Sequence, residues 1–488
     1  MLETPSCFRI LRAALVSLLA MALLQSCAGF DDRPELNPDR WAPANQAKPW
    51  QPPAINVKPQ AGGIPDSMSQ ATIKGDQAYD LPALVDVALQ NNPGTERTWS
   101  SAREAAAHLG AAQAPYYPQV ALSSDNGYQR SIIQLPGSDG VLKQWQSDPT
   151  LSMTWTLLDF GRRESASDSA RQRLFAANLT FNRSMQDVAF NTESAFYTLD
   201  AADGAVIAAE QNLKLAGTDF DAARQRVDLG LATQPELLLT KERVAQSRFD
   251  LANAQLMVHD AEAQLAVAVG VAASPPIRIA GLQTQAIPAE LSRSVEDFIA
   301  QARRDRPDLA ARVASVRASD ADIRQARAQF FPEVGISAAY GENIWNFTFA
   351  TPQSVLDAQP QYSAVLALRW DLFTGFKRIN DLRAAERERD IARADLRATD
   401  IDIVAEMWRA YFELVSSRSK YAFAQSLIEA SEESYAANLE TYRQGLSTIV
   451  ELLTAERDLA QARYTFISSK AELLTSYAAV IHAAGALQ

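Results

Sequence analysis

Leu151-Ser152-Met153-Thr154-Trp155-Thr156-Leu157 alternates apolar and polar residues, and a second stretch does the same through Ala364, Leu366, Leu368, Trp370 and Leu372. Period two marks a strand with two unlike faces. Each stretch has an alternating predecessor: Val120, Leu122 and Ser124 before the first, and Val334, Ile336, Ala338 and Tyr340 before the second. The pairs sit at a fixed offset. Pro118-Gln119-Val120 matches Pro332-Glu333-Val334, and Asn92-Pro93 matches Arg306-Pro307, a shift of 214 (118 to 332). Trp155 matches Trp370, Gly230 matches Gly445, Glu236-Leu237-Leu238 matches Glu451-Leu452-Leu453, Ala245-Gln246 matches Ala460-Gln461 and Arg248 matches Arg463, a shift of 215 (155 to 370). One inserted residue over that length means one unit of about 200 residues used twice, far too long a period for a solenoid.

Each unit reads as a helix (93–117; 307–330), two strands, and a long helical hairpin. The expected boundaries are a signal peptide at 1–26, an anchor and Pro-rich lead at 27–75, a first repeat at 76–275, a linker at 276–292 and a second repeat at 293–488. Strands are expected at about 118–131 and 148–159, then at 332–347 and 359–373; the hairpins at 162–270 and 377–486. From Arg162 to Asp228 there is no proline, and at 1.5 Å per residue that run spans roughly 100 Å. Apolar residues recur in sevens there: Met185, Leu199, Val206 and Leu213, beside Phe181 and Val188. The copy repeats this with Met407, Leu414, Tyr421 and Ile428, beside Val404 and Tyr411. That is coiled-coil spacing. The fold class is mainly α with a small β part.

The first residues read as a secretory signal, with Arg9 and Arg12 near an apolar stretch from Leu11 to Leu24. It ends in Leu24-Gln25-Ser26-Cys27, which resembles the bacterial lipobox and implies lipid on Cys27. The chain's two cysteines are Cys7 and Cys27, so acylation leaves no thiol for a disulfide, metal or catalysis. Residues 28–75 are rich in proline, an irregular lead whose Trp41 and Trp50 suit packing on the body. A net charge of -12 argues against nucleic acid. The three histidines (His108, His259, His482) are scattered, so no metal cluster is expected. No phosphate loop and no pointer to a nucleophile–His–acid set is present; neither a cofactor nor an enzyme activity is expected.

Four strands cannot close a barrel, and a bilayer forbids open strand edges. Either the strands lie outside a membrane or several chains complete one barrel. Three chains would supply twelve strands, within the known range; sequence alone leaves two or four copies open.

From about residue 80 to 485 the chain is similar to the outer-membrane efflux (TolC-like) family. Its two strand–strand–hairpin repeats, the Trp-x-Leu strand ends and the hairpin tips carry the resemblance. The tips read Leu229-Gly230-Leu231-Ala232-Thr233 and Gln444-Gly445-Leu446-Ser447-Thr448, against a family pattern of Val-Gly-Leu-x-Thr from which Leu229 and Gln444 depart. The lipobox and Pro-rich lead resemble the lipidated drug-efflux (NodT/OprM-like) branch. The resemblance implies a homotrimer with a twelve-stranded β-barrel in the outer membrane, continuous with a twelve-helix α-barrel across the periplasm. It implies a periplasmic adaptor at the tips and a proton-driven inner-membrane pump, with small molecules passing and no bond made or broken. A type I protein-secretion duct is the alternative, and a non-pore periplasmic coiled-coil scaffold the lesser one.

The site residues follow from the same resemblance. Gly230, Leu231, Thr233, Gly445, Leu446 and Thr448 are expected at the adaptor contact, where both glycines also serve as positive-φ turn residues. Glu451 is expected to face the axis as a cation-sensitive ring; the plainer reading is a carboxylate favoured in a first helical turn. Tyr442 is expected to bond across to Glu236 and hold a closed state, or else to be a core tyrosine. Trp345, Phe347, Tyr116, Tyr117, Phe330 and Phe331 are expected in aromatic girdles at the bilayer faces.

Overall fold

The duplicated pattern carries through into secondary structure. A computed structural model describes residues 78–135, 138–274, 276–281, 293–349 and 354–486. The signal peptide, Cys27, the Pro-rich lead and most of the 276–292 linker lie outside the described residues. The order is β1 (Ala78–Tyr79), α1 (Leu81–Asn91), α2 (Pro93–Gln113), β2 (Gln119–Leu135), β3 (Ser138–Leu158), α3 (Arg162–Asp228) and α4 (Gln234–Val269). The second half follows with β4 (Arg278–Ile279), α5 (Val295–Asp305), α6 (Pro307–Ala328), β5 (Glu333–Phe349), β6 (Ser354–Arg369), α7 (Lys377–Arg443) and α8 (Ile449–Ala483). Helices α3 and α7 each run 67 residues.

The four long strands form one antiparallel sheet in the order β2-β3-β5-β6, so the β3–β5 ladder joins the repeats. The strands differ from the expected bounds mainly at their far ends. β2 continues to Leu135, β3 begins at Ser138, and β6 begins at Ser354 and stops at Arg369. A ladder is built from backbone amides, so it persists where side-chain alternation fades into polar residues such as Gln144 and Gln146.

The helices show why this sequence makes hairpins. Buried small residues recur in sevens along α4 (Thr240, Ser247, Ala254, Ala261) and along α8 (Ala455, Ala462, Ser469, Ser476, Ala483). They let the long partner approach closely, and the apolar seam fills the remainder. Val188, Leu199, Met407 and Leu414 of the expected heptads are buried, while Met185, Val206 and Leu213 are half-buried. In α7 the second seam is Ile403, Ala410, Ser417 and Ala424, one position before the expected Val404 and Tyr411.

The matched X-Pro pairs have matched work. Asn92 caps α2, accepting from the Gly94 N–H at 2.7 Å, and donates to the Ala268 carbonyl at the end of α4 at 2.8 Å. Arg306 makes the matching contact to the second hairpin without a side-chain cap, donating to the Ala483 carbonyl at 3.3 Å while held by Asp308 and Glu406. Each lies against a left-handed glycine, Gly270 (φ 80) or Gly485 (φ 81), where an added Cβ would meet Asn92 or Arg306 backbone. No described helix is long and apolar enough to cross a membrane.

Candidate functional site

The two hairpin tips are near copies. At the first, the Gly230 N–H donates to the Val227 carbonyl and the Leu231 N–H to the Arg226 carbonyl. At the second, Gly445 donates to Tyr442 and Leu446 to Thr441. This double return bond is the usual helix stop that needs a left-handed residue, and the glycines supply φ of 75 and 78. Thr233 and Thr448 then start the return helices. The Thr233 N–H donates to Glu236 at 3.3 Å, and the Thr448 N–H donates to Glu451 at 2.8 Å, each the reciprocal half of a capping box. Leu229, Leu231 and Leu446 remain exposed.

What joins the two tips is Arg226. Its guanidinium donates to the Tyr442 carbonyl at 2.5 Å and to the Leu231 carbonyl at 3.5 Å, and lies 4.8 Å from the centroid of the Tyr442 ring. Tyr442 is almost fully buried beneath it. Its hydroxyl has no hydrogen-bond partner among the described residues. The expected Tyr442–Glu236 bond is therefore absent: Glu236 is engaged in its own capping box, and the phenol is held as a core side chain. Burial raises the Tyr442 pKa, Arg226 opposes the rise and Glu236 adds to it.

Further along the hairpins, four polar side chains meet from all four long helices. Tyr435 Oη donates to Asp219 Oδ1 at 3.2 Å, and Arg243 Nε donates to Glu456 Oε1 at 3.1 Å. Asp219 and Glu456 are both buried.

At the other end, the strand register sorts the side chains. One face carries Val120, Met153, Ala338 and Ala364 in a row, flanked by a row of Leu122, Leu151, Tyr340 and Tyr362 and by Trp155, Ile336 and Leu366. The opposite face carries Ala121, Ser152, Ala339 and Ser363, then Ser123, Thr150, Gly341 and Gln361, then Asp125, Asp148, Asn343 and Gln359. The outer strands are exposed on both faces. The outward edges of β2 and β6 have no strand partner among the described residues. Trp345 falls on the polar face, opposite to the girdle expectation; Tyr128 and Trp145 lie on the apolar one. The Phe347 side chain is outside the described set.

The strand–helix junction is also duplicated. Trp155 Nε1 donates to the Tyr116 carbonyl at 3.0 Å, and Trp370 Nε1 to the Phe330 carbonyl at 3.1 Å. Arg163 lies over the Tyr116 ring and donates to Pro115; Arg378 lies over Phe330 and donates to Gln329. Tyr116 and Phe330 are thereby junction residues. Two successive left-handed residues reverse each strand into its helix, Phe160-Gly161 in one repeat and Gly375-Phe376 in the other.

Comparison with known proteins agrees with this architecture. The family described as outer membrane efflux protein matches the chain twice, over residues 84–271 and 298–486. Protein CyaE of Bordetella pertussis is 30% identical over 420 residues, covering 84% of this chain and 85% of its own length. The chain belongs to the outer membrane efflux protein family. The pyoverdine export outer membrane protein OpmQ of Pseudomonas putida is 24% identical over 84% of this chain and 88% of its own. The solved structure of the outer-membrane channel OprN has the same fold, with a TM-score of 0.71 at 20% identity over 86% of this chain and 96% of that one. As an outer membrane efflux protein, the chain is placed at the outer membrane and extends into the periplasm. Its fold is the TolC-like one, mostly helical with a small sheet and a duplicated unit.

In this outer membrane efflux protein, sequence reading locates the tips but misses their fasteners. Arg226, Asp219, Tyr435, Glu456 and Arg243 all lie where the copies differ: their counterparts at the 215 shift (226 to 441) are Thr441, Ser434, Phe220, Lys241 and Asp458. Glu456 stands seven residues after Ile449, on an apolar register, and could have been found as a polar interruption of it; Asp219 lies in neither heptad register of its helix and left no such signal.

Proposed function

We propose that three copies of this chain form an outer-membrane exit duct of a tripartite efflux system, passively conducting small molecules from an inner-membrane pump to the outside. The observation that carries it is the sheet. It has one apolar and one small polar face, neither covered on the outer strands, and two edges with no strand partner among the described residues. An uncovered sheet of that kind suits lipid on one side and water on the other, provided its edges are closed by further copies. The long hairpins then surround a lumen continuous with the barrel.

Exposed Leu231 and Leu446, with Gly230, Thr233, Gly445 and Thr448 shaping the turns around them, are the adaptor contact in this reading. Glu451 faces the axis as a ring of three carboxylates. Cys27 carries lipid that anchors the chain to the outer membrane. That the relative OpmQ is named for pyoverdine export favours small cargo over protein cargo. The test is single-channel recording of the purified full-length chain in a planar bilayer. We expect discrete conductance steps; a preparation that folds and inserts yet passes no current removes the duct.

A further inference from the structure

Between the two hairpins, on the tip side, lie two carboxyl groups with too few donors. Asp219 on α3 and Glu456 on α8 are almost wholly buried. Asp219 uses Oδ1 to accept from Tyr435 on α7, and Glu456 uses Oε1 to accept from Arg243 on α4. Asp219 Oδ2 and Glu456 Oε2 have no hydrogen-bond partner among the described residues, although the two carboxyls are within hydrogen-bonding reach of each other. Two acceptors cannot bond without a proton between them, and a buried acceptor left unpaired is costly. Both residues lie 11 positions from their tip glycines (230 − 219; 456 − 445), about 16 Å up the hairpins at helical rise.

We propose that a single proton shared by Asp219 and Glu456 latches the second hairpin (α7–α8) to the first (α3–α4), so that the tips part more readily as pH rises. The charge census supports a proton in this place. Facing the pair are Tyr435, Tyr442 and Arg443 from α7 and Arg243 from α4. Arg243 is bonded to Glu456 and balances one carboxylate; Arg443 is exposed and acts on Asp219 only through space, as the weakest of its influences. Burial, and then the neighbouring Glu456, push the Asp219 carboxyl up to about 7; burial also raises Glu456.

The sign follows. With the hairpins parted, Asp219 is hydrated and returns to an ordinary carboxylate pKa, near 3.8. The latched form therefore takes up a proton between that pH and about 7. Its advantage is fully present at the acid end and falls by up to roughly tenfold per pH unit across the window. Above the window the loss is complete and the curve is flat.

The latch stands on contacts within one protomer and is tested without any current measurement, so its failure is separable from failure of the duct. In the full-length chain, cysteines replacing exposed Gln225 and Ala437 carry spin labels on α3 and α7. Labelled copies are diluted into unlabelled ones, and distances are measured at about pH 5.5 and about pH 8.5, either side of the Asp219 transition. We expect a short, narrow distribution at the lower pH and a longer or broader one at the higher. Asp219→Asn mimics the protonated carboxyl and should keep the short distribution at both. Glu456→Gln, which can donate to Asp219, should flatten the response as well, giving a second reading if either variant folds poorly. A wild-type distribution unchanged between the two pH values overturns the proposal, as does an Asp219→Asn variant that shifts like wild type.

Discussion

At position 451 one carboxylate answers to two demands. The helix start wants an acceptor for the Thr448 N–H, and the duct reading wants a negative charge on the axis. Alanine removes both, so a changed channel in Glu451→Ala says nothing about which mattered; loss of a cap alone costs about 1 kcal/mol. Glutamine keeps an acceptor and drops the charge. We expect Glu451→Gln to weaken block by divalent cations in planar-bilayer recordings while leaving thermal stability within about 0.5 kcal/mol. Unchanged block in Glu451→Gln would leave the residue as a helix cap only. The sequence could not separate these roles, because a carboxylate three residues after a threonine reads the same in either case. Tyr442 shows the converse. Its position before a tip glycine was legible, but its environment was set by Arg226, more than 200 residues away in sequence and absent from the matching repeat position.

At the level of elements, two near-identical helical hairpins are held together by unlike contacts. Every backbone bond at the tips is duplicated, whereas Arg226, which crosses from one tip to the other, has Thr441 as its counterpart. Removing the guanidinium strips a bond from the Tyr442 carbonyl and uncovers its ring, while both hairpins keep their own caps. For Arg226→Ala we expect the tips to be cut faster by added protease in limited digestion, with the cleavage sites confined to residues near 229–233 and 444–448. Cleavage indistinguishable from wild type would show that Arg226 does not fasten the tips. Helix lengths, heptads and turn glycines were readable because they depend on local spacing. The seam of α7 came out one residue off, since Tyr411 is large enough to look like core yet only half-buried beside Ala410.

For the whole molecule the sheet register makes the sharpest demand. Leu366 and Val365 are neighbours in β6, both apolar, but pairing puts Leu366 in the row of Trp155 and Ile336 and Val365 in the row of Thr154 and Ser337. Arginine at a lipid-facing midplane position costs about 2–4 kcal/mol, and much less in the lumen. We expect Leu366→Arg to lower sharply the yield of assembled protein in the outer-membrane fraction and Val365→Arg to be tolerated. Equal yields from the two would show that the faces are not divided between lipid and water. Alternation makes this parity legible along each strand and puts Trp345 on the polar face; the girdle expectation followed its aromatic ring instead of its parity. The strand order 2-3-5-6 has one more consequence. The edges without a strand partner among the described residues belong to different strands, so closure of the proposed duct joins β6 of one copy to β2 of the next, a head-to-tail contact rather than a self-complementary one. A subunit damaged at either rim spoils the ring it enters, and in a cell making both kinds of chain the intact share of three-membered rings falls as the cube of the healthy fraction. Edge lesions should accordingly behave as dominant in mixed expression, whereas lesions confined to a tip leave the seam, and hence assembly, untouched.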